Sequence, residues 1–123
     1  MTGTKQGLGE DDKAYLAVLS DILERLNEIH PDMTVRTARV LLQIADVEPI
    51  LQADLIRRYG YVKTTLNRII YLLTDRGARG AGDGLKLVLK ESGDNDRDKP
   101  LRLSPLGRRL IHDMIDTIKK AGK

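Results

Sequence analysis

Apolar residues recur at intervals of three and four positions through most of the chain, which is the period of amphipathic helices. The first such run covers residues 15–29, and either Asp11 or Asp12 is a plausible N-cap for it. It stops at a proline. A second run follows Thr34, which we expect to be an N-cap, and it ends near Val47. The first half of the chain is therefore predicted to form two helices.

Two shorter helices are predicted next. The segment "LQADLIRRY" is closed by Gly60, and a fourth helix runs from Lys63 to about Asp75, or at most to residue 76, before Gly77. The apolar face of the fourth helix consists of Leu66, Ile69, Ile70 and Leu73. A short helix, a tight turn at "YGY" and a second helix together predict a helix-turn-helix.

The pattern then changes from helical to alternating. Residues 78–84 form a glycine-rich loop, whereas residues 85–90 and 100–104 alternate like two antiparallel strands. Ser104 is the expected N-cap of a last helix. The predicted fold class is mainly α with a small β-hairpin, a winged helix-turn-helix of order α-α-α-α-β-β-α. Residues 1–10 are expected to form a flexible arm, and residues 11–123 a single domain.

The polar tract between the two predicted strands has three candidate roles. Asp94, Asp96 and Asp98 alternate like the first ligands of a calcium-binding loop, but Lys99 and Pro105 occupy the positions that require Gly and a bidentate Glu. A disordered linker is disfavoured by the alternating strands on both sides. A solvated hairpin tip or a wing that touches a polyanion remains.

The predicted fourth helix has a polar face suited to nucleic acid. The side chains that its core does not need are Lys63, Thr64, Thr65, Asn67, Arg68 and Tyr71. Hydroxyls, amides and cations bind phosphate oxygens and base edges. The helix contains no acid before Asp75, whereas a solvated helix more often carries Glu/Lys pairs four residues apart.

The distribution of charge agrees with a polyanionic partner. The formal net charge is only +3, but residues 1–50 carry five basic and nine acidic side chains, and residues 51–123 carry sixteen basic and nine acidic ones. A basic half beside an acidic half suggests one face for a polyanion and another for a different contact.

Two segments resemble the MarR family of winged-helix transcription regulators. "TTLNRIIYLLTDRG" (64–77) is similar to the recognition helix of that family, and "NDRDKPLRLSPLG" (95–107) is similar to its wing. Asn95 stands where the family has an acid. The resemblance covers roughly residues 12–120, and it implies a dimeric DNA-binding regulator.

The resemblance also implies which residues contact DNA. In the major groove or at the phosphates we expect Thr64, Thr65, Asn67 and Arg68, together with Lys63 at the start of the helix. Arg97 is expected in the minor groove, where narrow A·T-rich stretches attract arginine. Lys99 in the wing and Arg79 in the glycine-rich loop are further expected contacts.

The first and last helices carry more apolar positions than a small core needs, which favours a homodimer. The expected dimer-interface residues are Leu19, Ile22, Leu26, Leu110, Met114 and Ile118. Two copies would present their recognition helices to a near-palindromic double-stranded site, most simply as a repressor. Family members often respond to a small-molecule effector.

Other functions have less support. The chain has no cysteine, no signal-peptide pattern and no long apolar run, so thiol sensing and a membrane location are not expected and a cytoplasmic, nucleoid-associated protein is. No catalytic group, metal site or cofactor site can be assembled around His30 or His112. Two alternatives stay open: a winged helix that binds other proteins, and a DNA-binding replication or maintenance protein of a plasmid or phage.

Overall fold

The computed structural model describes residues 7–75, 84–91 and 99–121. Within these ranges the chain forms five helices and one antiparallel hairpin in the predicted order. The elements are α1 (Glu10–Ile29), α2 (Val35–Val47), α3 (Gln52–Tyr59), α4 (Lys63–Leu73), β1 (Val88–Lys90), β2 (Leu101–Leu103) and α5 (Pro105–Ala121). The predicted fold class, mainly helical with a small β-hairpin, is confirmed.

The core lies where α2, α4 and the hairpin meet. Its fully buried side chains come from α2, α3, α4 and both arms of the hairpin, and they include Leu41, Ile44, Leu55, Leu66, Ile70, Leu73, Leu87 and Leu101. All are aliphatic. The two terminal helices, α1 and α5, pack against each other beside this core.

The N-caps of two helices agree with the sequence prediction, and one does not. The Thr34 hydroxyl accepts a hydrogen bond from the Thr37 N–H at 3.0 Å, and the Ser104 hydroxyl accepts one from the Gly107 N–H at 2.9 Å. Helix α1 instead begins after Gly9. The expected N-cap at Asp11 or Asp12 is therefore wrong, because the Asp12 carboxylate lies in the first turn and accepts the Gly9 N–H at 3.4 Å.

The first strand starts later than the alternation suggests. The N–H groups of Leu85, Lys86 and Leu87 donate to carbonyl groups at the end of α4, over distances of 2.7–2.9 Å. The last carbonyls of a helix have no partner within the helix, and this segment satisfies them. Only residues 88–90 remain to pair with the second strand, and Val88 lies opposite Leu103 in that pairing.

A third segment joins the hairpin. Ile50, which follows a cis Glu48–Pro49 peptide bond, exchanges both backbone hydrogen bonds with Leu101, at 2.8 and 3.1 Å. This pairing attaches the wing to the loop that leads into α3. A Cβ atom on Gly107 would lie 2.1 Å from the Leu87 carbonyl oxygen, so the first turn of α5 approaches the backbone just before β1 as only glycine allows.

Candidate nucleic-acid interface

The turn between α3 and α4 sets the direction of the predicted recognition helix. Gly60 adopts a left-handed conformation, with φ 75°, and its N–H donates to the Ile56 carbonyl at 2.8 Å. Glycine takes this conformation without the steric cost that other residues incur. The next residue, Tyr61, is half-buried and donates its hydroxyl hydrogen to the Gln43 side chain on α2. The turn is thereby held against α2.

Helix α4 divides into a buried face and a basic polar face. Its four apolar residues Leu66, Ile69, Ile70 and Leu73 are buried. Lys63, Thr64 and Arg68 are exposed, and Thr65 and Asn67 are half-buried along the border. Among the described residues, neither Lys63 nor Arg68 makes a hydrogen bond or an ion pair, so both cations are available to a ligand.

Asn67 has a structural contact that the sequence did not reveal. Its Oδ1 accepts a hydrogen bond from the Gln52 side-chain amide at the start of α3. The contact joins the two helices of the helix-turn-helix and leaves the Asn67 NH₂ group as its remaining donor. Asn67 can therefore donate to a base or a phosphate, while one lone pair of its Oδ1 is used by Gln52.

The base of the wing lies against the end of α4. The Lys90 ammonium is 5.8 Å from the centre of the Tyr71 ring, a cation–π distance that links β1 to the recognition helix. Across the hairpin, Arg102 Nε donates to the Glu91 carboxylate at 2.8 Å. Lys99 is half-buried at the same end of the hairpin. Arg97 and Arg79, the other two expected contacts, lie outside the described residues.

Glu48 is a residue whose importance only the structure shows. Its carboxylate accepts the Leu103 N–H at 2.9 Å and two hydrogen bonds from the Arg108 guanidinium, each 2.9 Å long. The end of α2, strand β2 and the first turn of α5 thus meet at one side chain. Burial alone would raise the pKa of Glu48, but the hydrogen bonds from Arg108 and Leu103 outweigh burial and lower it. The carboxylate is accordingly charged at neutral pH.

The six expected dimer-interface residues separate into two groups. Leu26, Leu110 and Met114 are buried in the core of this chain, so they are covered without a partner. Leu19 and Ile118 are each 53% exposed, and Ile22 is half-buried. Helix α1 exposes further large side chains, namely Tyr15, Leu16 and Leu23, and α5 exposes Leu106 and Ile115.

A cleft of about 690 Å³ lies between the end of α4, the hairpin and the start of α5. Its lining includes Tyr71, Val88 and Leu106 as well as Lys90 and Lys99. Within the described ranges, no cluster of three or more His, Asp or Glu residues could hold a metal ion. The aspartates of the polar tract, residues 94, 96 and 98, fall outside those ranges. None of the described helices is long and apolar enough to cross a membrane.

Comparisons with known proteins agree at the level of the fold. No protein-family model matches the sequence, and no curated protein matches it. Among solved structures, MarR is 18% identical, with 88% of this chain and 77% of that chain covered and a TM-score of 0.54. A MarR-family transcriptional regulator from Rhodococcus sp. RHA1 is 22% identical, with 96% and 81% covered and a TM-score of 0.52.

A third solved structure describes how 6-hydroxynicotinic acid regulates the DNA binding of BpsR from Bordetella bronchiseptica. It is 18% identical, with 99% of this chain and 80% of that chain covered and a TM-score of 0.50. None of the three is described as an enzyme. The resemblance to the MarR family is therefore confirmed for the architecture: the chain has the winged-helix fold of the MarR-family transcription regulators.

Proposed function

We propose that this protein is a sequence-specific regulator of transcription that binds double-stranded DNA as a homodimer. The observation that carries the proposal is the polar face of α4. This face belongs to the second helix of a helix-turn-helix. It carries two cations that have no partner among the described residues, together with hydroxyl groups and an amide. The helix contains no acidic residue. Such a face suits phosphate oxygens and base edges.

The dimensions of α4 fit the major groove. A helix with its side chains is about 10–12 Å across, and the groove is about 12 Å wide. The N-terminal residues of a recognition helix meet the base edges. Here Lys63 and Thr64 lie in the first turn of α4, and Asn67 and Arg68 follow in the second.

The wing would then follow the adjacent minor groove. Its base is fixed to α4 through Lys90 and Tyr71. Glu48 and Ile50 fix it to the segment that follows α2. Arg97 and Lys99 would meet the minor groove or its phosphates, where a narrow A·T-rich stretch favours arginine. Arg79 in the glycine-rich loop is a further candidate contact.

Dimerisation would use the exposed apolar side chains of α1 and α5, among them Leu19, Leu23 and Ile118. Two recognition helices would reach half-sites about 34 Å apart on a near-palindrome. A dimer bound across a promoter would exclude polymerase, so repression is the simplest outcome.

A small-molecule effector is part of the proposal. The cleft beside the wing is within the size range of ligand sites, about 300–1,000 Å³, and its lining belongs to both α4 and the wing. A ligand bound there would alter how the wing meets α4, and hence how the two contact DNA.

The test is to select bound fragments from a random duplex library and then measure the affinity for the enriched sequence. We expect Arg68→Ala to weaken binding by about tenfold or more, the usual cost of a lost base or phosphate contact. Arg109→Ala is the control, because Arg109 is an exposed arginine on α5 that makes no ion pair among the described residues. Equal affinities of the Arg68 variant and the wild type would contradict a recognition role for α4.

A second function is suggested by the apolar surface of α1, which could equally meet a different protein. In that case the winged helix would act as an interaction module, and the library would yield no enriched sequence. Salt dependence separates the two, since binding through six or more phosphates falls by about 10³-fold or more between 50 and 200 mM salt.

A further inference from the structure

Three clefts on the described surface differ in their charged residues. The cleft beside the wing includes Asp75 with its lysines, and a cleft between α1 and α2 includes Glu24. A third cleft, of about 570 Å³, lies between the start of α2 and the side of α4. Its charged lining residues are Arg36 on α2 and Arg68 on α4, without an acid. We call it the α2–α4 cleft.

Within the described part of the chain, neither arginine of the α2–α4 cleft pairs with a carboxylate. Four other arginines, Arg25, Arg57, Arg102 and Arg108, form ion pairs. Across the described residues, the Arg36 and Arg68 side chains form neither an ion pair nor a hydrogen bond. Like charges that share a cleft repel each other, and a bound anion would relieve that repulsion.

The hydroxyl groups of the cleft support the same ligand chemistry. Thr34 and Thr37 are engaged with each other, because the Thr34 hydroxyl donates to the Thr37 hydroxyl at 2.9 Å. Thr65 is half-buried on α4, and its hydroxyl forms no hydrogen bond with another described residue. Its hydroxyl can therefore donate to an anion held between the two guanidinium groups.

The position of the cleft identifies which anion it would meet. The walls of the major groove are the two phosphate backbones, so residues on the flank of a recognition helix face a backbone rather than bases. Thr65 and Arg68 lie on the flank of α4 that faces α2. A backbone beside α4 would consequently pass along the start of α2.

We propose that the α2–α4 cleft binds one backbone phosphate of the DNA, held by Arg36, Arg68 and the Thr65 hydroxyl. This inference rests on the proposed function. It extends the DNA contact to α2, an element outside the helix-turn-helix, and it gives Arg68 a phosphate partner. Arg36 thereby sets how deeply α4 enters the groove, whatever the sequence being read.

The experiment measures binding to a 30-base-pair duplex of mixed sequence as a function of salt concentration. Loss of a whole phosphate contact reduces the slope of log affinity against log salt by about 0.9, which makes the loss of affinity between 50 and 200 mM salt about three- to fourfold smaller. Because Arg68 still reaches the phosphate, Arg36→Ala should reduce the slope by part of this amount, and the Arg36→Ala, Arg68→Ala double variant by the whole of it. Arg36→Lys keeps the charge and should keep the slope. Arg36 is exposed, and a thermal-unfolding curve checks that each variant is folded.

Arg39→Ala is the matched control, since Arg39 is an exposed arginine on the same helix that does not line the cleft. An equal change in slope for the Arg36 and Arg39 variants would mean a general effect of charge and would overturn the proposal. So would an unchanged slope for Arg36→Ala. Because both arginines hold one phosphate, Arg36→Ala and Arg68→Ala together should cost less than the sum of their separate effects, and additivity would also count against the cleft.

The outcome is distinguishable from failure of the proposed function. If the wild-type protein does not bind duplex DNA, the proposed function itself is lost. If it binds DNA and loses affinity on Arg68→Ala but not on Arg36→Ala, only the phosphate site in the α2–α4 cleft is lost.

Discussion

Helices α1 and α4 use their apolar residues in opposite ways. Helix α4 has 11 residues and buries four of them, whereas α1 has 20 residues and buries only Leu26. Leu16, Leu19 and Leu23 on α1 are each about half exposed. The apolar face of α4 is buried within its own chain. That of α1 is largely exposed, as the proposed dimer would require.

The polar faces of the two helices differ in sign as well. Helix α1 begins with three acids and carries three more, Asp21, Glu24 and Glu28, while α4 carries none. An acidic helix is repelled by phosphates, and a basic one is attracted. This difference in sign accords with the proposed DNA contact of α4 and the proposed protein contact of α1.

The two helices are expected to differ most in how much free energy of unfolding is lost when one leucine is replaced by alanine. Leu66 on α4 is fully buried, so Leu66→Ala should reduce the free energy of unfolding by about 2–5 kcal/mol. Leu16→Ala on α1 removes the same atoms from a half-exposed position and should cost under about 0.5 kcal/mol in dilute, monomeric protein. Urea denaturation measures both. Similar losses would show that α1 is packed as tightly as α4.

The second prediction concerns the exposed surface of α1 itself. Leu19→Glu places a charge on this surface, where it would be buried without a partner in a dimer. We expect a monomer in sedimentation analysis, and binding to a two-half-site duplex weakened by about 10²-fold or more through loss of bivalency.

Leu42→Glu is the control for that substitution, since Leu42 is 47% exposed on α2 and belongs to neither terminal helix. It should leave the oligomeric state unchanged. If the wild-type protein sediments as a monomer at all accessible concentrations, the exposed apolar face of α1 is not a dimer interface, and this prediction is wrong.

The smallest expected effect concerns Glu48, which ties the core containing α4 to the start of α5. Glu48→Gln removes the charge from three hydrogen bonds and should lower the free energy of unfolding by about 1–2 kcal/mol at pH 7. Because the folded-state pKa of Glu48 is lowered, its contribution is present above the ordinary pKa of a glutamate and is lost as the pH falls through the lowered value.

The difference in unfolding free energy between wild type and Glu48→Gln should accordingly shrink on acidification below the ordinary glutamate range. Urea denaturation at a series of pH values measures it. A difference that does not vary with pH would mean that the carboxylate charge contributes nothing to holding β2 and α5 in place.

Much of the fold was predictable because its signals are local. Thr34 and Ser104 bond to backbone N–H groups three residues ahead, and Gly60 takes a conformation that glycine alone adopts readily. The prediction failed at the first N-cap, where several acids compete within one turn, and at residues 85–87, whose alternation looks like a strand while their N–H groups are used by α4.

The candidate site was predictable only in part. The exposed cations of α4 followed from its period and from the absence of acids. The Gln52 contact of Asn67 did not, because its partners are 15 residues apart and no local pattern joins them. Likewise, periodicity marks Leu26, Leu110 and Met114 as apolar positions of a helix but does not say whether their own chain or another covers them.

The sequence by itself determined the helices, their order, the tight turn before α4 and the sign of the charge on that helix, since each depends on residues only a few positions apart. Only the tertiary structure decided that Ile50 pairs with Leu101, that Glu48 holds Arg108 across 60 positions, and that Arg36 and Arg68 line one cleft. These contacts depend on how the helices pack, and packing is a property of the whole chain.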